Sequence, residues 1–220
     1  MSAGDGDLAI VIPTRQAAVD APPAIAALRR EHAGPIVICD SAGGATDLDA
    51  MVIQGFGGRG GQLRAGAAAA QTPWMLFLHA DTRPAPGWRA AVDRFIAGGV
   101  GRAGYFDFTL DDAGRAARRL ERAVSWRCRR LALPYGDQGL LIARTLYDAV
   151  GGFPDQPLME DVAIVRRLGR RRLARIGVPA TTSAAKFQRD GYGRRSAKNV
   201  ALLALYSVGV PPTRLAKLYA

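Results

Sequence analysis

The chain has 220 residues, 49% of them hydrophobic, and a formal charge of +11, which suits one domain with a sizeable core or one domain with a helical appendage. No apolar run approaches the roughly 20 residues that span a bilayer, and Cys39 and Cys128 are too few for a disulfide framework and lack metal-ligand spacing. The charge invites an anionic partner, but no recognition motif or aromatic-interleaved basic patch accompanies it, so nucleic acid is not expected.

The amino terminus is acidic and enters the strand-like run LAIVIPT (8–14) without the basic start of a secretory signal, so a cytoplasmic location is expected. A helix with proline in its first turn follows at APPAIAALRREH (21–32), then a buried strand, PIVICDS, that stops at Asp40. DAMVIQ (49–54) reads as a weaker strand, GQLRAGAAAAQ (61–71) as a helix, and WMLFLHAD (74–81) as a strand covered on both faces. This alternation predicts a mostly parallel α/β sheet with crossover helices. Three strands end in Thr14, Asp40 and Asp81, and in such sheets the carboxyl ends of the strands face the ligand crevice.

Farther on, GWRAAVDRFIAGG reads as a helix, RAGYFDFTL (102–110) as an alternating strand with one exposed face, and GRAARRLERAVSWRCRRLAL as a long basic amphipathic helix. PYGDQGLLIAR is a loop entering a short strand, TLYDAVGGF a helix closed by glycine, and EDVAIVRRLGR a helix with an acidic first turn. The tail, from Gly191, reads as two helices split by Pro211 and Pro212, giving a main domain over 1–190 and an appendage over 191–220 that packs on it or rests on a membrane surface.

GFGGRG places Gly55, Gly57 and Gly60 in the spacing of a dinucleotide fingerprint between a strand and a helix. It supports an NAD(P)-binding oxidoreductase as the second reading, though the preceding strand is weak and the unit is not the first in the chain. A non-catalytic basic binding protein is the third. The leading account joins Asp40, Arg59, Asp81 and the Glu160–Asp161 pair. A carboxylate at a strand end can hold a hard cation that bridges a diphosphate, and an arginine in a glycine loop can serve the same phosphates. The acidic pair either supplies a base or simply complements its helix amino terminus.

These segments, VIPTR (11–15), ICDSAGGATD (38–47), GRGGQLRAGAAAA (58–70), LFLHADT (76–82), GDQGLLIAR (136–144) and GGFPDQPLMEDVAIVRRL (151–168), together resemble a family 2 glycosyltransferase. The chain is most similar to the short subgroup called radical-SAM/selenodomain-associated transferase type 2. The resemblance implies the GT-A fold, a Rossmann-like nucleotide-diphospho-sugar transferase architecture with C-terminal helices. It also implies inverting transfer of a sugar from a nucleotide-diphosphate donor, UDP-linked by first choice, to a hydroxyl acceptor. On this analogy Pro13, Thr14, Asp40 and Arg59 bind the donor nucleotide, and Asp81, with His79 as a second candidate, binds Mn²⁺ or Mg²⁺. Asp161 is the first choice of base and Glu160 the next, while Asp137 and Gln138 lie beside the acceptor. His79 stands where the family's D-x-D has its first acid, leaving one carboxylate fewer for the metal. The basic tail reads either as a peripheral contact with the inner face of the membrane or as a pair of helices packed on the domain.

Overall fold

A computed structural model describes residues 6–44, 47–54 and 58–219. In its first half, β1 (Leu8–Thr14), β2 (Ile36–Asp40), β3 (Met51–Gln54) and β4 (Trp74–Phe77) alternate with α1 (Ala17–Leu28) and α2 (Arg59–Ala70). Every residue of β1, β2 and β4 is buried, as their unbroken apolar runs require of strands covered on both faces. Side chains such as Ile10, Ile12 and Ile38 are fully enclosed, each stabilising the fold by roughly 1.5–3 kcal/mol.

The second half contains β5 (Thr82–Pro84), α3 (Trp88–Ala97), β6 (Ala103–Leu110), α4 (Arg115–Leu131), β7 (Leu140–Ala143), α5 (Arg144–Ala149), α6 (Glu160–Leu168) and β8 (Leu173–Thr182). Three helices close the chain: α7 (Ala185–Asp190), α8 (Tyr192–Ser207) and α9 (Pro212–Tyr219). The eight strands form one sheet in the order β3-β2-β1-β4-β7-β6-β8-β5. The pairings β1·β2, β1·β4, β2·β3 and β6·β8 are parallel, whereas β7 and β5 run antiparallel to their neighbours. The expected mostly parallel α/β sheet is therefore present.

Several local expectations shift. α1 begins and ends one turn earlier than the sequence suggested, placing Pro22 and Pro23 inside it. The carbonyls left without intrahelical donors belong to Ala18 and Val19, which are exposed, so water can serve them. The strand expected to run to Asp81 stops at Phe77, and His79 O then accepts from Thr82 N in a turn. β6 shows the expected alternation only in its second half, where Asp107 and Thr109 are partly exposed between buried Phe106, Phe108 and Leu110; its first four residues are all buried. β8 was hidden by its composition, with Arg175, Gly177 and Pro179 interrupting Leu173, Ile176 and Val178.

Candidate active site

The chain runs from β1 outward through β2 and β3, then returns to β4 on the other side of β1. Such a reversal opens a crevice at the carboxyl ends of the strands. A cleft of about 700 Å³ lies there, lined by Pro13, Thr14, Ser41, Arg59, His79, Asp81 and Lys186 among others. A second cavity of about 210 Å³ adjoins it, lined by Arg59, Asp81, Asp137, Asp161 and residues of α7, α8 and α9.

Parallel pairing puts Thr14 opposite Asp40 at the strand ends. The Thr14 hydroxyl donates to Asp20 (2.8 Å). Asp40 is buried, and one carboxylate oxygen accepts from Ala42 N (3.2 Å) while the other has no partner among the described residues. Such an enclosed, unpartnered acceptor is costly unless a ligand donates to it. Gln62, buried on α2, ties the two strand ends together: its amide nitrogen donates to Thr14 O (2.7 Å) and Cys39 O (2.8 Å). The sequence carried a signal for it, a neutral amide set among Gly, Ala and Leu in an otherwise small-residue helix.

Arg59 opens α2, with its Nε 3.5 Å from a Glu160 carboxylate oxygen. The helix start is fixed by close approach: a Cβ on Gly60 would lie 2.2 Å from Pro154 O and 2.8 Å from Gln156 N and O. Gly60 therefore packs α2 on the 154–156 loop. The other two glycines of the dinucleotide spacing, Gly55 and Gly57, lie outside the described residues.

Glu160 and Asp161 form the first turn of α6, preceded by Met159 in a left-handed conformation (φ 64°). For a residue with a Cβ that backbone costs roughly 1–2 kcal/mol, and such strain collects at functional sites. Asp161 lines the second cavity; its Oδ2 accepts from Gly136 N (2.9 Å) and its Oδ1 from Val162 N (2.7 Å). Glu160 is almost fully buried, and burial, then the neighbouring Asp161 charge, push its carboxyl up to about 7 against the opposing pull of Arg59.

The short 3₁₀ turn Gly136–Gln138 faces this pair. Only glycine fits at 136, where a Cβ would meet His79 Nε2 at 2.5 Å. His79 is held well below the usual imidazole range by burial and by the charges of Arg59 and Lys186. Asp137 faces the second cavity with one enclosed oxygen that has no partner among the described residues, and burial lifts its carboxyl to about 6.

Gln138, expected beside the acceptor, lines neither of these cavities. Its amide donates to Phe106 O (3.1 Å) and accepts from Tyr135 N (3.3 Å) and the Cys128 thiol (3.1 Å). It braces the loop from behind. The basic helix α4 does the same, with Arg127 donating to Leu133 O (2.8 Å) and lying over the Tyr135 ring. Of the expected site residues, Pro13, Thr14, Arg59, His79, Asp81, Asp137, Glu160 and Asp161 converge on the connected cavities, Asp40 lies beneath their edge, and Gln138 stays outside. Lys186, 3.7 Å from Asp81, is a further member that the sequence did not single out.

Asp81 supplies one partly exposed hard-oxygen donor, and among the described residues no group of three or more His, Cys, Asp or Glu side chains is gathered to hold a metal unaided. This donor set fits an ion completed by diphosphate oxygens and water, the usual arrangement for Mg²⁺ at phosphate sites.

No protein-family model matches the sequence, and no curated protein matches it. The fold, however, is that of the GT-A nucleotide-sugar transferases. Similar solved structures include glucosyl-3-phosphoglycerate synthase from Mycobacterium tuberculosis with Mn²⁺, UDP and glucosyl-3-phosphoglycerate, at 18% identity and a TM-score of 0.56, covering 79% of this chain and 70% of that one. The mannosyltransferase PcManGT from Pyrobaculum calidifontis, with GDP-Man and Mn²⁺, is 15% identical at a TM-score of 0.57, covering 79% of this chain and 56% of that one. A TarS fragment from S. aureus with UDP-GlcNAc is 12% identical at 0.56, covering 80% and 58%. The chain thus spans little more than half the length of two of these three.

Proposed function

We propose that this protein is an inverting glycosyltransferase that moves a sugar from a nucleoside-diphosphate donor to a hydroxyl acceptor. The observation carrying this reading is the convergence of Arg59, Asp81, Asp137 and the Glu160–Asp161 pair at the β1/β4 crevice. The structures of similar fold that hold UDP or GDP-Man supply the donor class. Asp40 offers an acceptor-only carboxylate, suited to a base edge that presents an N–H, as uracil and guanine do. UDP-linked donors are our first choice.

In the transfer, the acceptor oxygen forms a bond to the anomeric carbon while the carbon–oxygen bond to the diphosphate breaks. The bonding pair leaves with the diphosphate, and the acceptor proton passes to Asp161. The amides of Gly136 and Val162 fix that carboxylate and leave it lone pairs with which to accept. General-base help of this kind contributes on the order of 10² to 10⁴ in rate. Arg59 would neutralise charge developing on the leaving group, where preorganised donors have most effect. A divalent ion held by Asp81, with His79 as the one nearby nitrogen donor, would add Lewis-acid stabilisation of the same diphosphate. Asp137, facing the second cavity, would meet the acceptor.

The acceptor side is walled by the C-terminal helices. Arg194, Arg195, Lys198, Arg214 and Lys217 lie in a tail that carries no Asp or Glu after Asp190, and Val200, Val208 and Leu218 are exposed among them. We read the appendage over 191–220 as a surface for anionic lipid that brings a membrane-proximal acceptor to the cavity.

The test is thermal stability against UDP, GDP, TDP, CMP and NADH, each with and without Mn²⁺. One nucleoside diphosphate at roughly 100 times its dissociation constant should add about 2.7 kcal/mol. A shift with NADH alone would replace this reading by the oxidoreductase. With a responsive donor in hand, Asp161→Asn should lower turnover by about 10² or more, and an unchanged rate would move the base elsewhere.

A further inference from the structure

The sheet brings Lys186 to Asp81. β5 follows Asp81 directly and pairs antiparallel with the end of β8, Thr82 opposite Thr182, and the two hydroxyls hydrogen-bond at 2.6 Å. That pairing lays the 79–82 turn beside the 183–186 segment and sets Lys186 Nζ 3.7 Å from Asp81 Oδ2. Lys186 and Arg59 both line the larger cleft and the adjoining cavity, so two cations flank the single carboxylate at the junction of the two. Because His79 stands where a second acid would add negative charge, Asp81 is matched one for one by Lys186, while Arg59 pairs with Glu160, and Asp137 and Asp161 line only the adjoining cavity. The lysine side chain remains 62% exposed, free to turn from Asp81 toward a ligand in the cleft.

We propose that Lys186 is a tethered counter-cation for the diphosphate of the donor, resting on Asp81 when the cleft is empty and transferring to phosphate oxygens when the nucleotide binds. The proposal rests on the transferase reading above and adds a binding role that a metal ion would otherwise fill alone. It follows that nucleoside diphosphate binds without added metal. It also follows that Asp81 has opposite effects in the two conditions: with metal it recruits the ion, and without metal it competes with phosphate for Lys186 and repels the dianion.

The test is calorimetric titration of UDP and GDP into the full chain in EDTA and again in Mn²⁺, for wild type, Lys186→Met and Asp81→Asn. In EDTA the wild type should bind one of the two, and Lys186→Met should weaken that binding about tenfold or more, as loss of a charge-assisted phosphate contact implies. Asp81→Asn should bind more tightly than wild type in EDTA and lose the gain given by Mn²⁺. Circular dichroism and melting checks should find Lys186→Met folded as wild type, since the side chain it alters is exposed. Equal affinity of wild type and Lys186→Met in EDTA would overturn the proposal, as would wild-type binding that appears only with Mn²⁺; both results would leave the transferase reading standing. Absence of binding by either nucleotide in both conditions would overturn that reading and the proposal together.

Discussion

Glu160→Gln isolates what it costs the fold to keep a buried acid beside Asp161. A glutamate titrates near 4.5 without its surroundings and at about 7 here. Across that window the folded protein holds a proton that the unfolded chain has released, so stability falls as pH rises from about 4.5 to 7. The gap between the two values, at roughly 1.4 kcal/mol per pH unit, corresponds to at most about 3.5 kcal/mol. Glutamine matches the protonated side chain in shape and cannot ionise. The variant should equal the wild type near pH 4 and exceed its stability by up to about 3.5 kcal/mol near pH 8. Urea unfolding at half-unit pH steps, without nucleotide or metal, measures both curves. Parallel curves would refute the argument, and a variant weaker than wild type at high pH would show that the Arg59 pairing outweighs the burial of the charge.

Gln62→Leu should destabilise the protein by about 1–3 kcal/mol in chemical denaturation, since it removes the amide's hydrogen bonds to two buried carbonyls at the ends of β1 and β2, of which Thr14 O keeps Ser41 as a donor; a change below about 0.5 kcal/mol would show that the strand ends rearrange. Gly60→Ala should cost about 1–3 kcal/mol and weaken nucleotide binding, because the added methyl meets rigid backbone of the 154–156 loop; calorimetry and binding on the same variant check both. Co-sedimentation with vesicles should rise when phosphatidylglycerol replaces phosphatidylcholine and fall for Val208→Asp, whose wild-type side chain is 79% exposed; partitioning independent of lipid charge would set aside the membrane surface.

The half of the fold nearest the larger cleft was legible in the sequence because it depends on local pattern. The runs at 8–14 and 36–40 could only be strands buried on both faces, and they end where the crevice lies, so Thr14 and Asp40 were placed by counting. The acidic start of α6 was likewise visible, although the sequence could not say that Glu160 turns inward against Arg59 while Asp161 faces the second cavity. Gln138 was expected beside the acceptor because it follows Asp137, and only packing shows its amide bonded to Phe106, Tyr135 and Cys128. The sequence by itself determined the order of buried strands and the carboxylates at their ends, since hydrophobic periodicity is a local property. The tertiary structure alone decided which distant groups meet at the cleft. Lys186 reaches Asp81 through a pairing of Thr82 with Thr182, and α2 is seated by Gly60 on the 154–156 loop. Contacts between segments so far apart in the chain leave no trace in the pattern of either one.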